Sequence, residues 1–196
     1  MIQPLSSIAP AVTGITLHDK PAALLPEDAN AFLMHLSDLD AAGIFQFHTM
    51  IPVRLEKKFE RFIAEPGDIV FRGRGAGIAA AVMPETPYPV IAVSPLMIIR
   101  PNRSKVNSEY LAWQLTTEDA RRHYAQHLQG SAIIGIGKRD LETLETHLPP
   151  LQTQQKIGKL IKLQDQEAQL SARYQTARAK LVNTQISKAI LQEKTA

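Results

Sequence analysis

From Gln152 to Glu193 the chain has no proline and one glycine, Gly158. A stretch so free of breakers predicts a single long helix. Within it Leu160, Leu163, Glu167, Leu170, Tyr174, Ala177, Leu181, Thr184, Lys188 and Leu191 recur at alternating intervals of three and four residues. That is the period of a coiled-coil seam. Its apolar members are Leu160, Leu163, Leu170, Tyr174, Ala177, Leu181 and Leu191. A helix of about forty residues is roughly 60 Å long at ~1.5 Å per residue. It cannot cover such a stripe by itself, so the seam predicts a partner helix from a second copy or another chain. Glu167, Thr184 and Lys188 weaken the seam but can fix register or partner choice.

Leu148-Pro149-Pro150-Leu151 is a rigid junction that cannot lie inside a helix. It sets two expected regions, a folded domain at 1–149 and the helix at 150–196. Upstream, Pro4, Pro10, Pro21 and Pro26 make residues 1–31 read as irregular. Phe32–Leu36 reads as a buried strand. A turn at Ser37–Gly43 has Ser37 as its cap, and Ile44–Val53 reads as a further strand. Leu55–Ala64 fits a short helix or an exposed strand. Glu65-Pro66-Gly67-Asp68 is a turn that launches the strand Ile69–Phe71, and Gly73, Gly75 and Gly77 suit a hairpin with positive φ. Ile78–Met83, Val90–Val93 and Leu96–Ile99 follow as strands. Two helices come next, Ser108–Leu115 capped by Ser108, and one from Thr117 to about Gln129 closed by Gly130. Ile133–Ile136 is a last apolar run, and Trp113 sits among apolar neighbours as a core residue. The fold class is α+β: a twisted mixed β-sheet with flanking helices, then a long coiled-coil helix.

Composition narrows function mainly by exclusion. The absence of cysteine rules out disulfides, thiolate zinc sites and a cysteine nucleophile. No apolar run reaches the ~20 residues of a membrane span. The N-terminus lacks the basic region of a signal peptide, which predicts a cytoplasmic setting. Gly137-Lys138-Arg139 fails the phosphate-loop pattern, and no methyltransferase or nucleophile-elbow motif is present. His123 and His127, four apart, read as packing or surface residues rather than a metal pair. Glu56-Lys57-Lys58 with Asp38 or Asp40 matches a nuclease triad superficially and reads better as a solvated face.

The net charge of +3 is unevenly spread. Residues 1–50 carry −4, 51–139 carry +5, 140–150 carry −3 and 151–196 carry +5. Basic side chains in the domain are candidates for an acidic partner such as nucleic acid, where arginine can read guanine edges and lysine meet phosphates. They are Arg54, Lys57, Lys58, Arg61, Arg72, Arg74, Arg100, Arg103, Lys105, Lys138 and Arg139. Arg72 and Arg74 lead the set, because glycines around Arg74 allow close backbone approach.

Four segments, in order, resemble the DNA-specificity (S) subunit of type I restriction–modification systems. Pro66-Gly67-Asp68-Ile69-Val70-Phe71 with Gly73, Gly75 and Gly77 is similar to that family's "pGDil…G…G" stretch. Glu109–Leu115 resembles the helix after its sheet, and Gln129-Gly130-Ser131 with Ile133, Ile136 and Leu141 resembles its "GS…i….l" stretch. Leu148–Ile157 is close to the hallmark "lPPl.eQ..I" that opens the spacer helix, with Thr153 where a carboxylate is usual. Length departs from the family: one recognition domain and one spacer helix instead of two of each, a half-length form expected to pair through antiparallel helices. The resemblance implies a non-catalytic subunit that recognises double-stranded DNA at a bipartite site and scaffolds methyltransferase subunits. Self-pairing and a restriction subunit are further expected partners. This chain would bind no cofactor, S-adenosylmethionine belonging to the methyltransferase, which modifies adenine N6. An S-like dimer acting as a regulator or inhibitor without a methyltransferase is the alternative.

Overall fold

The computed structural model describes residues 1–17, 25–75, 77–128 and 135–193, with backbone alone at 26, 127, 128 and 188–193. Expectations for Gln129, Gly130, Ser131 and Ile133 fall outside the described residues. The chain divides into two units, 1–158 and 159–196.

The first unit is built on two four-stranded sheets. One has the order β2 (Ala11–Thr13), β9 (Met97–Ile99), β6 (Ile69–Arg72) and β7 (Ala79–Val82), all antiparallel. The other has the order β4 (Ile51–Val53), β3 (Ala31–Met34), β8 (Val90–Ala92) and β5 (Ile63–Ala64), with β3 and β8 parallel. A ribbon pairs β1 (Ile2–Pro4) with β10 (Glu145–His147). The helices are α1 (Ser108–Gln114), α2 (Glu118–Leu128), α3 (Lys138–Glu142) and α4 (Leu151–Glu193).

Unbroken apolar strands such as Ile69-Val70-Phe71 and Met97-Ile98-Ile99 are explained by the layering. A strand covered on both faces has no polar alternation. Ile69, Phe71, Met97 and Ile99 pack with Tyr110, Leu111, Tyr124 and Leu141 of the helices. Their alternates Val70 and Ile98 pack with Met34, Val90 and Ala92 of the second sheet. Leu33, Ile91 and Val93 turn to a third layer with Phe59, Phe62 and Leu55.

Several local expectations need correction. Residues 1–31 are not all irregular: β1 and β2 form there, and partner strands stabilise segments that three-residue apolar content could not signal. Ile44–Val53 is strand only at β4, preceded by a 3-10 turn at Phe47–Thr49. Leu55–Ala64 is a 3-10 helix at Lys57–Phe62 running into β5. Ser37 does not cap its turn; the turn spans Leu36–Asp38 behind His35, and Asp38 Oδ2 accepts the His35 N–H at 2.7 Å. Asn107, not Ser108, caps α1, its Oδ1 accepting the Tyr110 N–H at 3.0 Å. Ser108 instead donates its hydroxyl to Gly67 O at 2.8 Å.

The turn before β6 shows what its residues do. Gly67 has φ +87°, which favours glycine, and the Arg103 guanidinium lies where a Cβ would stand. Asp68 is buried; its Oδ2 accepts the Glu65 N–H at 3.0 Å and lies 3.5 Å from Arg100 Nε. Burial pushes its carboxyl above the usual value, against the opposing pull of the Glu65 amide and Arg100. A raised native pKa means the folded state holds the proton more readily than the unfolded one. This group's contribution to stability therefore falls as pH rises from its unfolded value through its native one. Asp68→Asn does not titrate there. The melting-temperature difference between the two proteins is expected to move in favour of the unsubstituted chain as pH is lowered from 7 towards 4. A pH-independent difference would contradict this.

Candidate nucleic-acid interface and helix seam

Arg72 is the last residue of β6, and the strand's period of two sends its side chain towards the second sheet. It is 8% exposed, with Nη1 donating to Leu39 O at 2.6 Å and Nε to Arg74 O at 3.2 Å. The expected DNA contact is corrected: the guanidinium is engaged inside the fold, where it holds the backbone of Arg74. Gly75, at φ +82°, packs against that guanidinium. Arg74 itself is exposed at the hairpin and lies against Gly135. The Ile136 N–H donates to Gly73 O at 2.9 Å, bringing α3 with its exposed Lys138 and Arg139 to the same end of β6. Lys138 pairs with Glu142 at 3.5 Å.

A second basic group sits at the other end of β6. Arg103 is exposed and donates to Pro66 O, and Lys105 is exposed nearby. Arg100 is tied down there, donating to Arg61 O and Ile63 O at 3.1 Å each. Arg61 lies over the Phe62 ring at 4.5 Å. Lys58 pairs with Glu56 at 2.7 Å and sits 4.9 Å from the Phe59 ring centroid, while Arg54 and Lys57 are exposed. The eleven residues of the candidate set thus do not converge on one point. Arg74, Lys138 and Arg139 form one group, and Arg61, Arg103 and Lys105 another, with a four-residue strand of about 13 Å between them.

The nuclease pattern is not assembled. Asp38 is buried and accepts the Thr49 hydroxyl at 2.6 Å, while Asp40 accepts the Ala42 and Ile44 N–H groups at 2.9 Å. His123 Nε2 meets Asp140 O at 2.9 Å. Among the described residues no group of three or more His, Asp or Glu is placed to hold a metal.

The Leu-Pro-Pro-Leu junction ends in a buried clamp. Gln154 is 1% exposed; its Oε1 accepts the Asn107 N–H at 3.0 Å, and its Nε2 donates to Pro149 O at 2.8 Å and Lys105 O at 3.2 Å. Ile157 packs on the helix-side core, and Gly158 has no Cβ to strike Asn107 Oδ1. The first two turns of α4 therefore belong to the domain.

In the second unit the seam is bare. Leu160, Leu163, Leu170, Tyr174 and Leu181 are 60 to 68% exposed, and Ala177 is exposed too. The side chain of Leu191 lies outside the described residues. Thr184 donates its hydroxyl to Lys180 O at 2.8 Å, so it offers the seam a methyl group. Sequence reading missed a second face. Ala168, Ala172, Thr176, Ala179, Val182 and Ile186 lie opposite the seam at 100° per residue. Thr176 donates to Ala172 O at 2.9 Å, and Val182 and Ile186 are exposed. Between 166 and 187 Arg173, Arg178 and Lys180 occupy the flanks between these faces.

The described residues give a domain with exposed basic groups and a helix that presents exposed apolar side chains. The chain belongs to the type I restriction modification DNA specificity domain family, whose model matches residues 50–177. Two solved chains share the fold. One belongs to a type I R-M system studied for its complex assembly and conformational transition; it has 18% identity and a TM-score of 0.61, over 90% of this chain and 40% of that one. The other is the HsdS subunit from Thermoanaerobacter tengcongensis, with 18% identity and a TM-score of 0.56, over 88% of this chain and 38% of that one. This chain thus spans about two fifths of the length of the chains it matches. No curated protein sequence matches it. No helix among the described residues is long and apolar enough to cross a membrane.

Proposed function

We propose that this chain is the non-catalytic DNA-recognition subunit of a type I methyltransferase complex, with a recognition domain at 1–149 and a spacer helix from 150 onward. The observation that carries this reading is the family match, which runs from the sheets through the junction into α4. The Leu160–Leu181 seam pairs with a second copy, antiparallel, so that two recognition domains read a bipartite site. An identical pair reads a symmetric one. The opposite face of α4, uncharged between 166 and 187, is available to methyltransferase subunits, which bring S-adenosylmethionine, and a restriction subunit joins through them. The setting is cytoplasmic.

DNA contact falls to Arg74, Lys138 and Arg139 at one end of β6 and to Arg61, Arg103 and Lys105 at the other. Arg54, Lys57 and Lys58 extend the surface. Arg72 positions Arg74. Arg74→Ala is expected to lower the slope of log affinity against log salt by about one unit, the loss of one phosphate neutralised. Equal affinity at every salt concentration would remove Arg74 from the contact set. The test of the whole reading is recovery of the tagged chain from its native cells, analysed by mass spectrometry. Co-purification of an adenine methyltransferase in fixed stoichiometry supports it, and methylated adenines then reveal the target. Recovery of the chain with itself alone would favour a regulatory dimer.

A further inference from the structure

The only tryptophan is not a core residue. Trp113 is 44% exposed, because α1 turns its neighbours Tyr110, Leu111 and Gln114 inward and leaves position 113 on the outer face. It stands at the edge of a cleft of about 550 Å³ between α1, the start of α2 and β10. The lining includes Tyr110, Gln114, Asp119, Glu145 and His147, and no lysine or arginine. Its carboxylates are Asp119 and Glu145, the latter from the −3 stretch of 140–150.

The wall of the cleft carries polar groups. Gln114 is 9% exposed, with Nε2 donating to Tyr110 Oη at 2.7 Å and His147 O at 2.8 Å. Tyr110 in turn donates to His147 O at 2.9 Å. These bonds fix the orientation of the carboxamide, since a flip would set its oxygen against a carbonyl. Gln114 Oε1 is left buried without a donor. Asp119 is paired with Arg122 of its own helix, whereas Glu145 is exposed and makes no ion pair among the described residues.

We propose that this cleft is a docking site for an arginine-bearing segment of a protein partner. A guanidinium lies flat on an indole face, brings five donors and no acceptor, and balances a free carboxylate. The phosphates of DNA would instead meet acceptors and negative charge. The proposal does not depend on where DNA binds.

Because Trp113 is the single tryptophan, tryptophan emission reports on the surroundings of this one side chain at the cleft edge. The full chain is titrated with acetyl-Gly-Arg-Gly-amide and with the uncharged citrulline analogue. A saturable change of emission is expected from the arginine peptide, with apparent affinity weaker by about fivefold for citrulline and for the Glu145→Gln chain. Glu145 is exposed, so that variant keeps its fold. No saturable change, an equal response to citrulline, or unchanged binding by Glu145→Gln would each overturn the proposal. So would emission changed by duplex DNA and unaffected by the peptide, since the cleft would then face nucleic acid.

Discussion

Leu170→Asp is expected to abolish self-association of the chain. Leu170 lies in the middle of the seam and is 68% exposed in one copy, so in the proposed pair its environment comes from the partner helix. An antiparallel pair buries the substituted position from both chains, and each carboxylate would enter an apolar seam without a counter-charge. A loss of about 3 kcal/mol weakens pairing by over 100-fold. Light scattering should show a dimer mass falling to that of the monomer at micromolar concentration. Ser171→Asp adds the same charge on the flank of the helix and should leave the mass unchanged. Identical masses for both variants and the unsubstituted chain would remove Leu170 from the seam.

Gln154→Ala is expected to be the most damaging single change at the junction. It deletes three hydrogen bonds at once and leaves the Asn107 N–H and the carbonyls of Lys105 and Pro149 to be satisfied in a site with 1% exposure. Buried groups stripped of partners cost about 1–3 kcal/mol each, so a total near 3 kcal/mol is expected after relaxation. In a chain of this size that lowers the melting temperature by roughly 10 °C. Gln155→Ala, one residue on and exposed, should change it by less than about 2 °C. A small effect at Gln154 would mean that the start of α4 is held by Ile157 packing alone.

What the sequence disclosed depended on how strong each local signal was. The 43-residue helix α4 was legible because forty positions carry one period without a breaker. The Pro66–Asp68 turn and the glycine hairpin were legible because those residues have few conformational alternatives. Strands β1 and β2 were not, since three residues beside a proline carry no period, and their partners lie over 80 positions away in the chain. Arg72 was misjudged because glycine neighbours speak of backbone freedom and not of strand parity. Trp113 was misjudged because helical spacing identifies a buried face but not its width. The second face of α4 escaped notice because alanine and a back-bonded threonine count for little in a hydrophobic tally, although their spacing of three and four is visible.

The ribbon of β1 and β10 carries a mechanical consequence. Ile2 pairs with His147 and Pro4 with Glu145, so Met1 and the root of α4 meet at the same end of an antiparallel pair, with the Leu148 N–H on Met1 O at 2.7 Å. Tension between the two would load these bonds singly, as in a zip, and not all together in shear. The ribbon would peel at low force while the two sheets behind it stayed closed, which makes it the fuse of the domain when the helix is pulled.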